Sequence, residues 1–269
     1  MLQINHLWFT HRKDLRVLLD DFSLVLNPGD RAVVIGEEGN GKSTLLKWIY
    51  DPALVTDYVE AAGERVCRGK LGYLPQELPP EEKQGSVYDY FSARGTLWDA
   101  EPGALRRIAR ELGLPPELCY SEQRMGSLSG GERIKLQLAQ LHLEQPDVLL
   151  LDEPSNDVDL DTLAWLEREI LDFPGIVLFI SHDETLIENT ANCIVLLEQL
   201  QHKRVSRWSV ARMGYTDFVR QRQRSFDRQE QQAYSERREE RKAMEKFRRI
   251  QQRVEHEQAS ISRADPHGG

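Results

Sequence analysis

The sequence predicts an α/β fold: a parallel core sheet, an antiparallel β subdomain, a helical subdomain and, after them, a long charged C-terminal helix. Three observations carry this. Residues 148–151 and 176–180 are apolar runs without alternation, as parallel strands covered on both faces require, and a helical stretch at residues 160–171 separates them as in a βαβ unit. Residues 2–9 and 17–26 alternate apolar with polar side chains instead, the pattern of half-buried antiparallel strands. Residues 218–261 contain neither Gly nor Pro and are dominated by Arg, Gln and Glu, which favour helix.

The remaining elements fall between these. Asn27, Pro28, Gly29 and Asp30 form a turn cluster, after which residues 31–35 make a short β-branched strand that runs into a Gly-rich loop. Residues 43–50 read as helix, and residues 70–74 as a strand closed by Pro75. Between residues 79 and 127 the pattern is helical, with residues 87–93 and 104–112 as the helices and Gly95, Gly113, Pro115 and Pro116 as punctuation. A helix runs from Gly130 to about Gln145 and spaces Ile134, Leu138 and Leu141 along one buried face. Residues 193–197 are a further strand, and residues 204–208 the second arm of a small hairpin. Two domains are expected, residues 1–210 and the charged segment 211–269.

A 269-residue chain with 40% hydrophobic residues can bury a substantial core. The net charge of -9 gives no general reason to expect affinity for nucleic acid or membranes. That charge is uneven: residues 212–263 carry 14 basic and 9 acidic side chains, so a basic tail follows an acidic body. Three widely spaced cysteines suit a reducing cytosol and show no metal-ligand spacing. The first residues have no secretory pattern, and no apolar run can cross a bilayer. A cytoplasmic location follows as the expectation, with any membrane part supplied by another subunit.

Gly36-Glu37-Glu38-Gly39-Asn40-Gly41-Lys42-Ser43, with Thr44 after it, matches G-x-x-x-x-G-K-S/T between a strand and a helix. Glycines let the backbone curl its N–H groups toward phosphate oxygens, and the start of the helix adds its partial positive charge. Lys42 then reaches the β- and γ-phosphates of ATP, and the Ser43 hydroxyl faces Mg²⁺. Glu37 and Glu38 are unusual beside a polyanion: either they point to solvent, or the loop binds nucleotide weakly. The apolar strand that ends in Asp152 and Glu153 sets one carboxylate near Mg²⁺ and a second to polarise an attacking water. Leu128-Ser129-Gly130-Gly131-Glu132 opens the next helix. Ser129 and Glu132 have the spacing of a capping box, and the two glycines bare N–H groups to an anion.

With these motifs in this order, the sequence resembles the ATP-binding-cassette family of P-loop nucleotidases, over about residues 1–208. The family signature L-S-G-G-Q/E matches at residues 128–132. The resemblance implies that Ser129, Gly130, Gly131 and Glu132 close over ATP held by a second cassette. It also implies a Q-loop glutamine at Gln76 that senses the metal and water, a D-loop over residues 155–159 with Asp159 at its aspartate, and a switch histidine at His182. For the aromatic that stacks on adenine, His11 aligns best and Phe9 is a candidate.

The signature's flank and Glu153-Pro154-Ser155-Asn156-Asp157-Val158-Asp159-Leu160 resemble the ABC-F branch, departing from its E-P-T-N-H-L-D-L at Ser155, Asp157 and Val158. Gly214-Tyr215-Thr216-Asp217-Phe218 resembles that branch's G-x-Y-x-x-Y/F element with one spacer missing, and a charged helix follows as in its inter-cassette linker. The branch implies a ribosome or rRNA partner, in translation or antibiotic resistance. On this reading the chain is a first cassette plus half of a helical hairpin, with its tip at residues 265–269 and the second cassette beyond. The alternative is the nucleotide-binding subunit of a membrane transporter with a permease partner, for which the basic tail has no evident use. A chromosome- or repair-associated ATPase would need a long coiled coil within the cassette, and the sequence has none.

Overall fold

The computed structural model describes residues 1–94, 101, 103–200 and 205–264. Its main sheet has six strands in the order β5-β6-β7-β3-β8-β9, namely β5 (Leu71–Leu74), β6 (Val148–Asp152), β7 (Ile176–Ile180), β3 (Arg31–Ile35), β8 (Cys193–Leu200) and β9 (Val205–Ala211). Neighbours are parallel from β5 through β8, and β9 returns antiparallel along β8. Every residue of β6 and β7 is buried, which is why their sequences show no alternation.

A second, antiparallel sheet orders β2 (Val17–Leu26), β1 (Leu2–His11) and β4 (Val59–Cys67) as β2-β1-β4. The strand β4 was not expected from the sequence, because its Glu60–Glu64 stretch is exposed and lacks a buried face. Pairing with β1 holds it. The register slips at a bulge between Asn5 and Trp8, where His6 adopts φ 46°. Opposite the bulge, Gly63 lies so close that a Cβ there would sit 2.6 Å from the His6 carbonyl.

Helix α1 (Lys42–Tyr50) follows the glycine loop; α2 (Pro80–Gln84), α3 (Val87–Ser92), α4 (Ala104–Glu111) and α5 (Gly130–Glu144) lie between β5 and β6. Gln145 ends α5 in the left-handed region at φ 52°, and Pro146 forbids continuation. Helix α6 (Leu160–Asp172) links β6 to β7, and α7 (Glu184–Thr190) links β7 to β8. Helix α2 falls within the stretch 79–127 expected to be helical, though no bounds were drawn for it, and the seven-residue α7 was not expected. The core draws on both sheets and α1, with Phe9, Phe22, Leu45, Ile49, Leu150 and Leu178 among its buried side chains.

Helix α8 (Tyr215–Ala264) runs for 50 residues. The chain forms two compact units, residues 1–216 and 217–269, so the first two residues of α8, Tyr215 and Thr216, belong to the first unit. Along α8, Phe226, Tyr234 and Met244 are exposed, as its sparse apolar pattern implied. Gly95, residue 204 of the expected strand and the expected hairpin tip at 265–269 lie outside the described residues. Among the described residues no helix is long and apolar enough to cross a membrane.

Candidate active site

The loop after β3 is shaped by three glycines with positive φ: Gly36 at 151°, Gly39 at 77° and Gly41 at 88°. A Cβ on Gly36 would stand 2.2 Å from the Leu197 carbonyl oxygen of β8. The buried Asn40 side chain donates to that same carbonyl at 3.0 Å, clamping the loop to the sheet. Arg16 Nη donates to the Gly39 carbonyl at 3.2 Å from the other side. Gly41 starts α1 without a side-chain cap, whereas Ser129, Asp159 and Asp183 cap α5, α6 and α7. Its first N–H groups therefore have no side-chain acceptor, and the positive end of its dipole favours an anion.

Lys42 Nζ bridges the Gly36 and Glu37 carbonyls at 2.7 and 3.2 Å. Burial pushes its pKa down, and the carboxylates of Glu153, Glu38 and Asp152 oppose this. Asp152, at the end of β6, accepts from Ser43 Oγ at 2.9 Å and from the Tyr73 hydroxyl at 3.2 Å. It is 1% exposed, and burial raises its pKa against the lowering effect of those two bonds. Glu153 turns out of the strand at φ 52°, its N–H bonded to the Ile180 carbonyl at 3.1 Å. Its Oε1 lies 3.1 Å from His182 Nε2, while Oε2 is buried without a partner. Burial raises the Glu153 pKa, with His182 and Lys42 pulling the other way.

Lys42, Ser43, Glu153 and His182 face one cleft of about 510 Å³, lined with them by Gly39, Gly41, Thr44 and Gln76, and also by Glu38 and Asn156. Gly36, Asn40 and Asp152 do not line it. Gly36 and Asn40 shape the loop from behind, and Asp152 acts through Ser43. Glu37 and Glu38 are both exposed. Asn156, Tyr73 and Arg16 were not singled out for the site from sequence; Asn156 lies within the D-loop segment and Tyr73 within the expected strand 70–74. Among the described residues no three His, Cys, Asp or Glu side chains cluster to hold a metal alone. The Ser43–Asp152 oxygen pair fits a small hard cation that takes its other ligands from water and phosphate.

Phe9 is fully buried, edge-on to Trp48, so it has no face for a base. His11 sits at the end of β1, its Nδ1 2.7 Å from Asp14 Oδ1, and does not line the cleft. Ser129, Gly130, Gly131 and Glu132 lie apart from the cleft as well. Ser129 and Glu132 form the reciprocal capping box, with the Glu132 N–H donating to Ser129 Oγ at 3.2 Å and the Ser129 N–H to Glu132 Oε2 at 3.0 Å. The glycines allow close packing there: a Cβ on Gly130 would stand 1.9 Å from the Asp157 carbonyl, and one on Gly131 2.6 Å from Thr162 Oγ1. A separate apolar cleft of about 380 Å³ between α5 and α6 holds the His142–Glu169 pair at 3.0 Å and no phosphate-binding chemistry.

A glycine loop between a buried strand and an uncapped helix start defines a P-loop nucleotide-binding domain. The chain belongs to the ATP-binding-cassette family: the family model described as ABC transporter matches residues 19–156. The ATP-binding protein Uup of Buchnera aphidicola is 36% identical over 180 residues, covering 65% of this chain and 29% of that protein. The energy-dependent translational throttle protein EttA of Escherichia coli K12 is 33% identical over 219 residues, 68% and 39% respectively. The tylosin resistance ATP-binding protein TlrC of Streptomyces fradiae is 31% identical over 247 residues, 77% and 44%. These relatives are ABC-F proteins, and the chain spans less than half the length of each. Among solved structures, a chain of a metal-chelate type ABC transporter in an inward-facing conformation shares the fold at a TM-score of 0.60 and 22% identity, over 77% of this chain and 82% of that one.

Proposed function

We propose that this chain is the ATP-binding and ATP-hydrolysing cassette of an ABC-F-type protein, cytoplasmic, that acts on the ribosome in translation or in protection from antibiotics. The observation that carries the chemistry is Glu153, held by His182 at 3.1 Å on one oxygen and unpartnered on the other, beside Lys42 and Ser43 in one cleft. The reaction is ATP + H₂O to ADP + phosphate. Loop N–H groups and Lys42 bind the phosphates; Ser43, Asp152 and Gln76 would hold Mg²⁺. When bound, Mg²⁺ neutralises the charge that builds on the phosphate oxygens. Glu153 Oε2 accepts hydrogen from the attacking water, and burial makes that carboxylate a better base than one in solvent. His182 orients Oε1 and stands ready for the terminal phosphate.

Ser129, Gly130, Gly131 and Glu132 lie outside the cleft, which supports a role against nucleotide held by a second cassette, in the same protein or in a second copy. Hydrolysis then depends on that pairing. The likeness to a throttle protein of translation and to a tylosin resistance protein supports the ribosomal target. The transporter reading rests on a fold-level likeness at 22% identity and leaves the tail without a role. Glu153→Gln is expected to keep ATP affinity, lower turnover by about a hundredfold or more, and co-sediment with ribosomes when ATP is present. Wild-type turnover removes Glu153 from this role, and co-purification with a permease instead of ribosomes overturns the target.

A further inference from the structure

We propose that Glu188 is a positioning residue through which the terminal phosphate of a bound nucleotide sets the root of α8. The proposal rests on the reading of the cleft as an ATP site. His182, exposed at the cleft, is followed directly by Asp183, whose carboxylate caps α7 by accepting from the Leu186 N–H at 2.9 Å. Ser181 fixes the same junction: its hydroxyl accepts from the Asp183 N–H at 3.0 Å and pairs with Ser155 Oγ at 2.9 Å. The seven residues of α7 are one piece, with Leu186 and Ile187 sunk in the core and Asn189 tied to Glu167 of α6 at 2.9 Å.

The outer face of α7 holds the beginning of α8. Glu188 Oε2 accepts from both the Thr216 N–H at 2.8 Å and the Thr216 hydroxyl at 2.7 Å. Glu184, one turn earlier, receives the Tyr215 hydroxyl at 3.4 Å. A carboxylate on the first N–H groups of a helix gains from charge-assisted bonding and from the helix dipole, so the attachment has a definite geometry. All of these residues belong to the same compact unit, 1–216.

Two tethers therefore meet at the root of α8, and they differ in what they follow. Arg212 binds Asp30 at 2.9 Å and the Val25 carbonyl at 2.8 Å, which fastens the end of β9 to the turn before β3. Glu188 fastens Tyr215 and Thr216 to the helix that begins beside His182. Gly214 lies between them with nothing within 4 Å of a built Cβ, a joint free to absorb a small rotation. A displacement of His182 by the γ-phosphate, absent with ADP, is passed on by α7 to Thr216.

Hydrogen–deuterium exchange on the whole chain with Mg·ADP and with a non-hydrolysable Mg·ATP analogue tests this. In the wild type, exchange at the amides of Thr216 to Val219 is expected to differ severalfold between the two nucleotides. In Glu188→Ala the Thr216 amide exchanges roughly tenfold faster, the worth of one net charge-assisted hydrogen bond, and the nucleotide difference disappears. Affinity for both nucleotides stays within about twofold, because Glu188 does not line the cleft. Glu188→Gln, which keeps an acceptor oxygen, restores part of the difference. A nucleotide difference that survives in Glu188→Ala overturns the proposal, as does a wild type that binds the analogue without any difference at α8. Failure of the analogue to bind overturns the ATP reading itself, and this inference with it.

Discussion

Glycines on either side of β3 are required for different reasons. Gly29 and Gly36 both have positive φ, 90° and 151°, yet a Cβ on Gly29 would meet nothing within 4 Å while one on Gly36 would stand 2.2 Å from the Leu197 carbonyl. Gly29→Ala is expected to cost about 1 kcal/mol, the price of left-handed backbone alone. Gly36→Ala must also push the loop off β8, which breaks the Asn40–Leu197 bond and moves Lys42 and Ser43. We expect a loss of about 3 kcal/mol or more in urea unfolding and no measurable ATP binding. Equal losses for the two variants would mean that the β8 carbonyl yields freely, and that the loop is not pinned from behind.

Helix ends separate structural polar residues from those left for a ligand. Ser129 is satisfied by its capping box, so Ser129→Ala is expected to lower stability by about 1 kcal/mol and to leave ATP affinity in the chain's own cleft unchanged. A fall in affinity, measured by titration on the single chain, would place the signature in its own site instead. The start of α5 and the chemistry of the loop were legible because local rules specify them: a capping box, a glycine pattern, a buried strand ending in two acids. Helix α7 and strand β4 were not. The strand pairs with β1 across the bulge at His6 and the bare Gly63, and α7 spans only about two turns. The roles of Tyr73 and Arg16 depend on contacts across the fold, to Asp152 at 3.2 Å and to Gly39 at 3.2 Å, which no local spacing encodes. Asn40 shows the same limit: its place in the loop pattern is local, but the bond of its side chain to the Leu197 carbonyl at 3.0 Å is not.

Across the whole molecule the charge is divided by sequence position, and the division bears on the proposed ribosomal partner. Residues 212–263 hold 14 basic and 9 acidic side chains within a chain whose net charge is -9. Long-range attraction to RNA therefore cannot come from the net charge; it must come from arginines that reach phosphates at close range, within about one Debye length of 8–10 Å. Arg224, Arg228, Arg237 and Arg238 are exposed on α8. Replacing all four by Gln keeps helix propensity nearly constant, so helicity by circular dichroism should not change. If the four neutralise four phosphates, raising salt from 50 to 200 mM weakens wild-type binding to ribosomal RNA by roughly a hundredfold beyond the loss seen for the variant. Nucleotide affinity in the cleft is expected to match in both proteins. Identical salt slopes for the two, with helicity intact, would show that α8 is a solvated helix whose charge meets no nucleic acid, and would leave the ribosomal target to be reached by another surface.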